Sequence, residues 1–147
     1  MRLPALLFPL CLLAACGSGS THSSVAIANP KIRLAAVSGQ PAAGYVNVAA
    51  TQDRGALVGV SSPRAARVEM HESVAHGTMS SMRPVERIDL GKEREIEFAP
   101  GGRHLMLIAP DPKLKPGDRA DLTFRFAHGD PVTVSATVVA AGDDVAH

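Results

Sequence analysis

The sequence predicts an all-β protein, a Greek-key β-sandwich, and three observations support this prediction. About nine or ten short apolar or alternating runs recur at spacings of roughly 8–12 residues, as is typical of sandwiches. Clusters of Gly, Pro, Ser and Asp separate the runs, and no segment carries a sustained helical period. Since no helix is available to connect parallel strands, a parallel α/β sheet is not expected, whereas a double-sheet fold limits exposed strand edges.

Turn chemistry bounds each predicted strand. The strands are predicted at residues 25–37, 44–51, 56–61, 67–72, 77–83, 85–90, 93–98, 103–109, 119–127 and 131–139. The breaks include 38–41 (SGQP), 52–55 (QDRG), 100–102 (PGG) and 111–118 (DPKLKPGD). Gly adopts positive φ without a steric penalty and Pro lacks a backbone donor, so both interrupt strands. The last two strands are predicted to form a hairpin across 128–130.

The N-terminus has the pattern of a secretory signal peptide. Arg2 precedes an apolar run over 3–15, which is shorter than the roughly 17–25 residues of a transmembrane helix. The segment Leu13-Ala14-Ala15-Cys16 resembles the lipobox of bacterial lipoproteins, which implies that Cys16 is lipidated. Gly17 after it favours the outer membrane in a diderm bacterium. The predicted organisation is a signal peptide at 1–15, a lipidated Cys and flexible tether at 16–24, a β-sandwich at 25–139 and a short frayed tail at 140–147.

Charge and composition exclude several classes of protein. Lys and Arg number 15 and Asp and Glu number 14, a net charge of +1 that argues against nucleic-acid binding. Aromatic residues make up 3% of the chain, too few for a stacking site for bases or sugars. The two Cys are Cys11, inside the signal peptide, and Cys16. The mature domain therefore offers no disulfide and no thiolate for catalysis or for a blue-copper site.

A cluster of His and Met is the most informative feature of the sequence. In the predicted strand at 103–109, His104 and Met106 share one face, while Leu105, Leu107 and Ala109 share the other and suit a core. Imidazole and thioether groups are soft donors that favour Cu(I) over oxygen-preferring cations. By the same alternation, Met70 points away from its neighbour His71 and is predicted to be a core residue.

The spacing of four residues resembles the signature of the PCuAC family of periplasmic copper chaperones. His71 is followed after ten residues by Met82, then after twenty-one by His104, and after one more by Met106. The flanking segments are similar too: 70–72 (MHE), 82–85 (MRPV) and 100–108 (PGGRHLMLI).

The resemblance implies a cupredoxin-like fold and a copper-handling function. Cu(I), with Cu(II) as a second candidate state, would be bound by His71, Met82, His104 and Met106. The implied function is delivery of copper to the CuA centre of cytochrome c oxidase, alone or with Sco-type thiol proteins. The protein would act on the periplasmic side of a bacterial membrane, held there by its lipid anchor.

The chain departs from the family pattern near the proposed ligands. Many members carry a Met at the position of Ala75, and a Met is also usual at the position of Ser80. His76 and Met79 lie nearby, as partial substitutes or as loop residues. The tail carries only His147, so a second copper site in the tail is not expected.

The sequence is also compatible with two other functions. One is copper sequestration or resistance without a dedicated client, and the other is a β-sandwich interaction lipoprotein with an incidental His/Met cluster. An enzyme is not expected, because Gly-x-Ser-x-Gly and His-Glu-x-x-His motifs are absent and the cluster holds no paired carboxylates.

Overall fold

The computed structural model of the protein describes residues 25–50, 54–91 and 94–145. The predicted signal peptide, Cys16, the tether and His147 lie outside these residues. The described residues form ten strands, and none of them belongs to a helix that could cross a membrane. The strands are β1 (Val25–Arg33), β2 (Ala42–Ala50), β3 (Ala56–Ser61), β4 (Ala65–His76), β5 (Met79–Pro84), β6 (Ile88–Asp89), β7 (Glu95–Phe98), β8 (Arg103–Pro110), β9 (Arg119–Phe126) and β10 (Val132–Val139).

The all-β prediction is confirmed by a single sheet that folds around one core. Its strand order is β5-β4-β8-β7-β2-β1-β10-β9-β3-β6, with a further pairing of β8 to β2. Most neighbours are antiparallel, and several are far apart in sequence, such as β4 with β8 and β1 with β10. The two ends of this order approach each other at a seam. There, a cleft of about 510 Å³ is lined by residues of β3, β4 and the segment that follows β5.

The core is built by the period-two alternation of the strands. In β9, Ala120, Leu122, Phe124 and Phe126 are buried and alternate with more exposed residues. In β8, Leu105 and Leu107 have no exposed surface. All of these residues belong to one cluster that extends from Val25 to Val138, so a chain starting at Gly17 would keep every one of its members.

Three details of the predicted fold are wrong. The first strand ends at Arg33 instead of 37, because the chain enters a turn in which the N–H of Gln40 donates to the carbonyl of Val37 at 3.3 Å. The strand predicted at 85–90 is reduced to Ile88–Asp89, because the N–H of Val85 still donates to the carbonyl of Met70 in β4 at 2.8 Å and only Ile88 and Asp89 of this segment pair with β3. Ala109 is exposed with a φ of 46°, so the inward alternation of β8 ends at Leu107.

The tail is also more ordered than predicted. The backbone N–H of Ala140 donates to Oδ2 of Asp143 at 2.8 Å, and the N–H of Asp143 donates to the carbonyl of Ala140 at 3.1 Å. This turn brings Val145 back against the body of the protein, where it is 1% exposed.

Candidate metal centre

The pairing of β4 with β8 brings the two predicted histidine ligands face to face. His71 lies directly opposite His104 in the antiparallel ladder, and their ring centroids are 5.9 Å apart with an interplanar angle of 44°. Met70 lies opposite Leu105 on the other face, where both are buried in the core. The same two strands therefore carry the core on one face and the His pair on the other, as the alternation predicts.

The two predicted methionine ligands lie on the same face as the His pair. Met106 follows His104 on β8 with one residue between them, and Met82 of β5 lies opposite Ser73 of β4. Met82, His104 and Met106 together line a cleft of about 290 Å³, to which Tyr45 also contributes. The structure thus gathers all four predicted residues on the outer face of the β5-β4-β8 part of the sheet.

The four side chains of the cluster differ in exposure. His104 is 9% exposed, and Met106 is half-buried. The side chain of His71 is 16% exposed. Met82 is 59% exposed because β5 is the edge strand, with no neighbour on its far side among the described residues. The cluster therefore has a buried imidazole base and one exposed thioether.

The ring of His104 is oriented by its own strand. Its Nδ1 lies 3.1 Å from the carbonyl oxygen of Gly102, and a carbonyl can only accept. Nδ1 therefore carries the proton, which leaves a lone pair on Nε2 in the neutral ring. A hydrogen bond of this kind fixes the tautomer of a histidine that binds a metal.

The ring of His71 is held by a carboxylate that the His/Met pattern does not predict. Nε2 of His71 lies 2.9 Å from Oε2 of Glu69, while Nδ1 of His71 is buried and has no hydrogen-bond partner. The other oxygen of Glu69, Oε1, accepts from Nε of Arg67 at 2.6 Å. These contacts lower the pKa of Glu69, first through the hydrogen bond from Arg67 and then through that from His71. The spacing in the sequence could have indicated these contacts, because residues 67, 69 and 71 share one face of β4.

The remaining His and Met residues have other positions. Met70 is 5% exposed and belongs to the core, as predicted. Met79 is 75% exposed beside the turn that joins β4 to β5. The backbone of His76 pairs with that of Met79 at the end of the β4–β5 ladder.

The donor set determines which cations the cluster can accept. Two imidazoles and two thioethers are neutral and soft, which suits Cu(I) and not Ca²⁺ or Mg²⁺. Among the described residues, no group of three or more His, Cys, Asp and Glu is arranged to hold a metal.

The fold is that of the PCuAC class of domains, which several solved structures share. The copper-bound PCuAC domain from PmoF2 is 27% identical, with a TM-score of 0.58 over 80% of this chain and 93% of that chain. The Cu(I) form of DR1885 from Deinococcus radiodurans is 26% identical, with a TM-score of 0.56 over 75% of this chain and 76% of that chain. The apo form of DR1885 is 23% identical with a TM-score of 0.60, over 95% of both chains, and supports the fold alone.

The chain belongs to the LpqE-like family, described as "Putative lipoprotein LpqE-like", whose model matches residues 25–138. A curated relative, "Putative lipoprotein Lxx21020" from Leifsonia xyli, is 32% identical over 85 residues, which are 56% of this chain and 50% of that protein. An uncharacterized protein, RP573 of Rickettsia prowazekii, is 32% identical over 71 residues, 48% of this chain and 39% of that protein. The alignments thus span half or less of the curated relatives. The resemblance to PCuAC domains expected from the His/Met spacing is confirmed.

Proposed function

We propose that His71, Met82, His104 and Met106 bind Cu(I) and that the protein is a copper metallochaperone. The observation that carries the proposal is the facing His71–His104 pair, whose ring nitrogens include one without a partner, beside two thioethers on the same sheet face. The likeness to a copper-bound PCuAC domain at 27% identity supports it. The neutral, soft donor set suits holding Cu(I), so we propose carriage of the ion and not catalysis.

The gradient of exposure suits a protein that must release its cargo. An incoming thiolate or imidazole can reach copper most easily from the side of Met82, which is 59% exposed. A neutral thioether on an edge strand is a suitable first ligand to leave, because its departure leaves no uncompensated charge at the site. His71 and His104, which are more deeply placed, would hold the ion until exchange is complete. We propose the CuA centre of cytochrome c oxidase, reached directly or through a Sco-type thiol protein, as the recipient.

The proposed place of action is the extracytoplasmic side of a bacterial membrane. A lipid on Cys16 would tether the sandwich through residues 16–24, and Gly17 favours the outer membrane in a diderm bacterium. The lipoprotein names of the family and of the Leifsonia xyli relative support this anchor.

Anaerobic competition with a Cu(I) chelator tests copper binding, using the chain from Gly17 onward. We expect one equivalent of Cu(I) to bind, and Met106→Leu and Met82→Leu to weaken binding, because Leu keeps the volume but has no donor atom. Met79→Leu is the matched control, since Met79 is exposed on the same edge strand and lies outside the signature. Wild-type binding in Met106→Leu would remove Met106 from the site, and absence of binding in the wild type would favour an interaction domain.

A deletion strain tests the recipient. Loss of oxidase activity that added copper restores is expected for a chaperone of the CuA centre. Normal oxidase activity together with greater sensitivity to copper would indicate sequestration instead.

A further inference from the structure

The two histidine rings of the cluster are hydrogen-bonded to the protein through different nitrogen atoms, Nε2 in His71 and Nδ1 in His104. We propose that Glu69 is a positioning residue that makes Nδ1 of His71 the copper ligand, while His104 binds copper through Nε2. This inference rests on the proposed copper function and adds a residue outside the His/Met signature.

The hydrogen bond between Glu69 and His71 determines the tautomer of the ring. An ionised carboxylate can only accept, so the 2.9 Å contact from Oε2 of Glu69 places the proton on Nε2 of His71. A neutral imidazole has one N–H, and Nδ1 must then carry the lone pair. Nδ1 is buried without a hydrogen-bond partner, which is unusual for a polar atom and is explained if its partner is a metal.

The orientation of His104 complements that of His71. Because Nδ1 of His104 donates to the carbonyl of Gly102 at 3.1 Å, its free lone pair is on Nε2. Directly opposite residues of an antiparallel pair have Cβ atoms about 4.5–5.5 Å apart, so one ion can reach both rings. Each ring therefore has one nitrogen tied to the protein and one available.

Glu69 is itself held in place and is unsuited to be a ligand. Its Oε1 accepts from Nε of Arg67 at 2.6 Å, and its Oε2 accepts from His71, so both oxygens are engaged. Its backbone lies opposite Met106, at the border of the cluster. A carboxylate is also a hard donor, which Cu(I) disfavours. Its role is thus to orient and polarise His71, as carboxylates do behind other metal-binding histidines.

Ring-nitrogen NMR on the ¹⁵N-labelled chain from Gly17, at about pH 8 where imidazoles are neutral, tests the tautomer directly. In the apo protein we expect the His71 proton on Nε2 and the His104 proton on Nδ1. Glu69→Ala should give His71 a mixture of tautomers, whereas Glu69→Gln should largely keep the wild-type form because its carbonyl still accepts. Glu95→Ala, which removes an exposed glutamate of β7, is the matched control and should change neither ring.

Cu(I) loading of the same samples tests the ligand atoms. Addition of Cu(I) should shift Nδ1 of His71 and Nε2 of His104, and Glu69→Ala should weaken Cu(I) binding by about 10–100-fold. A copper-dependent shift at Nε2 of His71, or wild-type affinity in Glu69→Ala, would overturn the inference. If the wild type binds no Cu(I), the proposed function fails. The apo spectrum tests the role of Glu69 separately: a proton on Nδ1 of His71 would show that Glu69 does not set the tautomer.

Discussion

Truncation of Met70 tests whether β4 packs Met70 into the core while its opposite face carries His71. Met70 lies between Glu69 and His71 in sequence, yet it is 5% exposed and packs in the core opposite Leu105. Met70→Ala removes the Cγ, Sδ and Cε atoms from that core. Met79→Ala makes the same chemical change at a side chain that is 75% exposed, and so provides the control.

The burial of the Met70 side chain determines how much Met70→Ala should lower the free energy of unfolding. Truncation of a buried Met costs about 2–5 kcal/mol in the free energy of unfolding. Met70 also lines the seam cleft of about 510 Å³, which gives its neighbours room to relax, so we expect about 2–3 kcal/mol. At about 4 °C per kcal/mol for a domain of this size, Tm should fall by about 8–12 °C. Met79→Ala should change stability by less than about 0.5 kcal/mol.

Denaturant unfolding of the apo protein, followed by circular dichroism, measures these differences, and Cu(I) competition on Met70→Leu completes the test. Met70→Leu conserves volume, so it should cost less than about 1.5 kcal/mol and leave copper affinity unchanged. The reasoning is refuted if Met79→Ala destabilises as much as Met70→Ala. It is also refuted if Met70→Leu loses copper while Met106→Leu keeps it, because the opposite face of the strands would then bind the metal.

Three other predictions concern the anchor, the choice of metal and the packing beneath the cluster. Cys16→Ser should release the protein from membranes or block its processing, and metabolic labelling with a fatty acid checks this, since an unlabelled wild type would refute the anchor. Cu(I) should be bound in strong preference to Zn²⁺, with essentially no binding of Ca²⁺ or Mg²⁺, as isothermal titration with each cation would measure. Zn²⁺ binding as strong as that of Cu(I) would show that the methionines are not ligands. Gly44→Ala should destabilise by about 1–3 kcal/mol, because its new Cβ would lie 3.0 Å from Cβ of the buried Leu105, and an unfolding curve matching the wild type would show that β2 and β8 have room to separate.

Alternation along the strands is the part of the site that could be predicted from the sequence. His104 and Met106 had to share a face once Leu105 and Leu107 were assigned to the core, and β8 has that arrangement. Ala109 breaks the alternation, because its positive φ turns the backbone out of the regular strand. Periodicity assumes a regular strand, so it cannot anticipate where a strand ends.

Burial and hydrogen bonding at the site could not be predicted in this way, because they depend on neighbouring strands. Met82 is exposed since β5 is an edge, whereas Met106 is half-buried where β8 pairs with β2 next to Ala43. The role of Glu69 depends on rotamers that place its carboxylate against Nε2 of His71, and spacing shows only that they share a face. Val145 is buried by a turn made by Asp143, in a segment that composition predicts to fray.

The edge position of Met82 also determines its chemical lifetime. In an oxidising compartment, a methionine sulfur that solvent can reach is converted to the sulfoxide, and the side chain becomes polar and loses its thioether donor. Met82, at 59% exposed, should be oxidised well before the half-buried Met106 and the buried Met70. Of the two proposed thioether ligands, Met82 is therefore the first that peroxide would disable, by a lesion that methionine sulfoxide reductases can reverse.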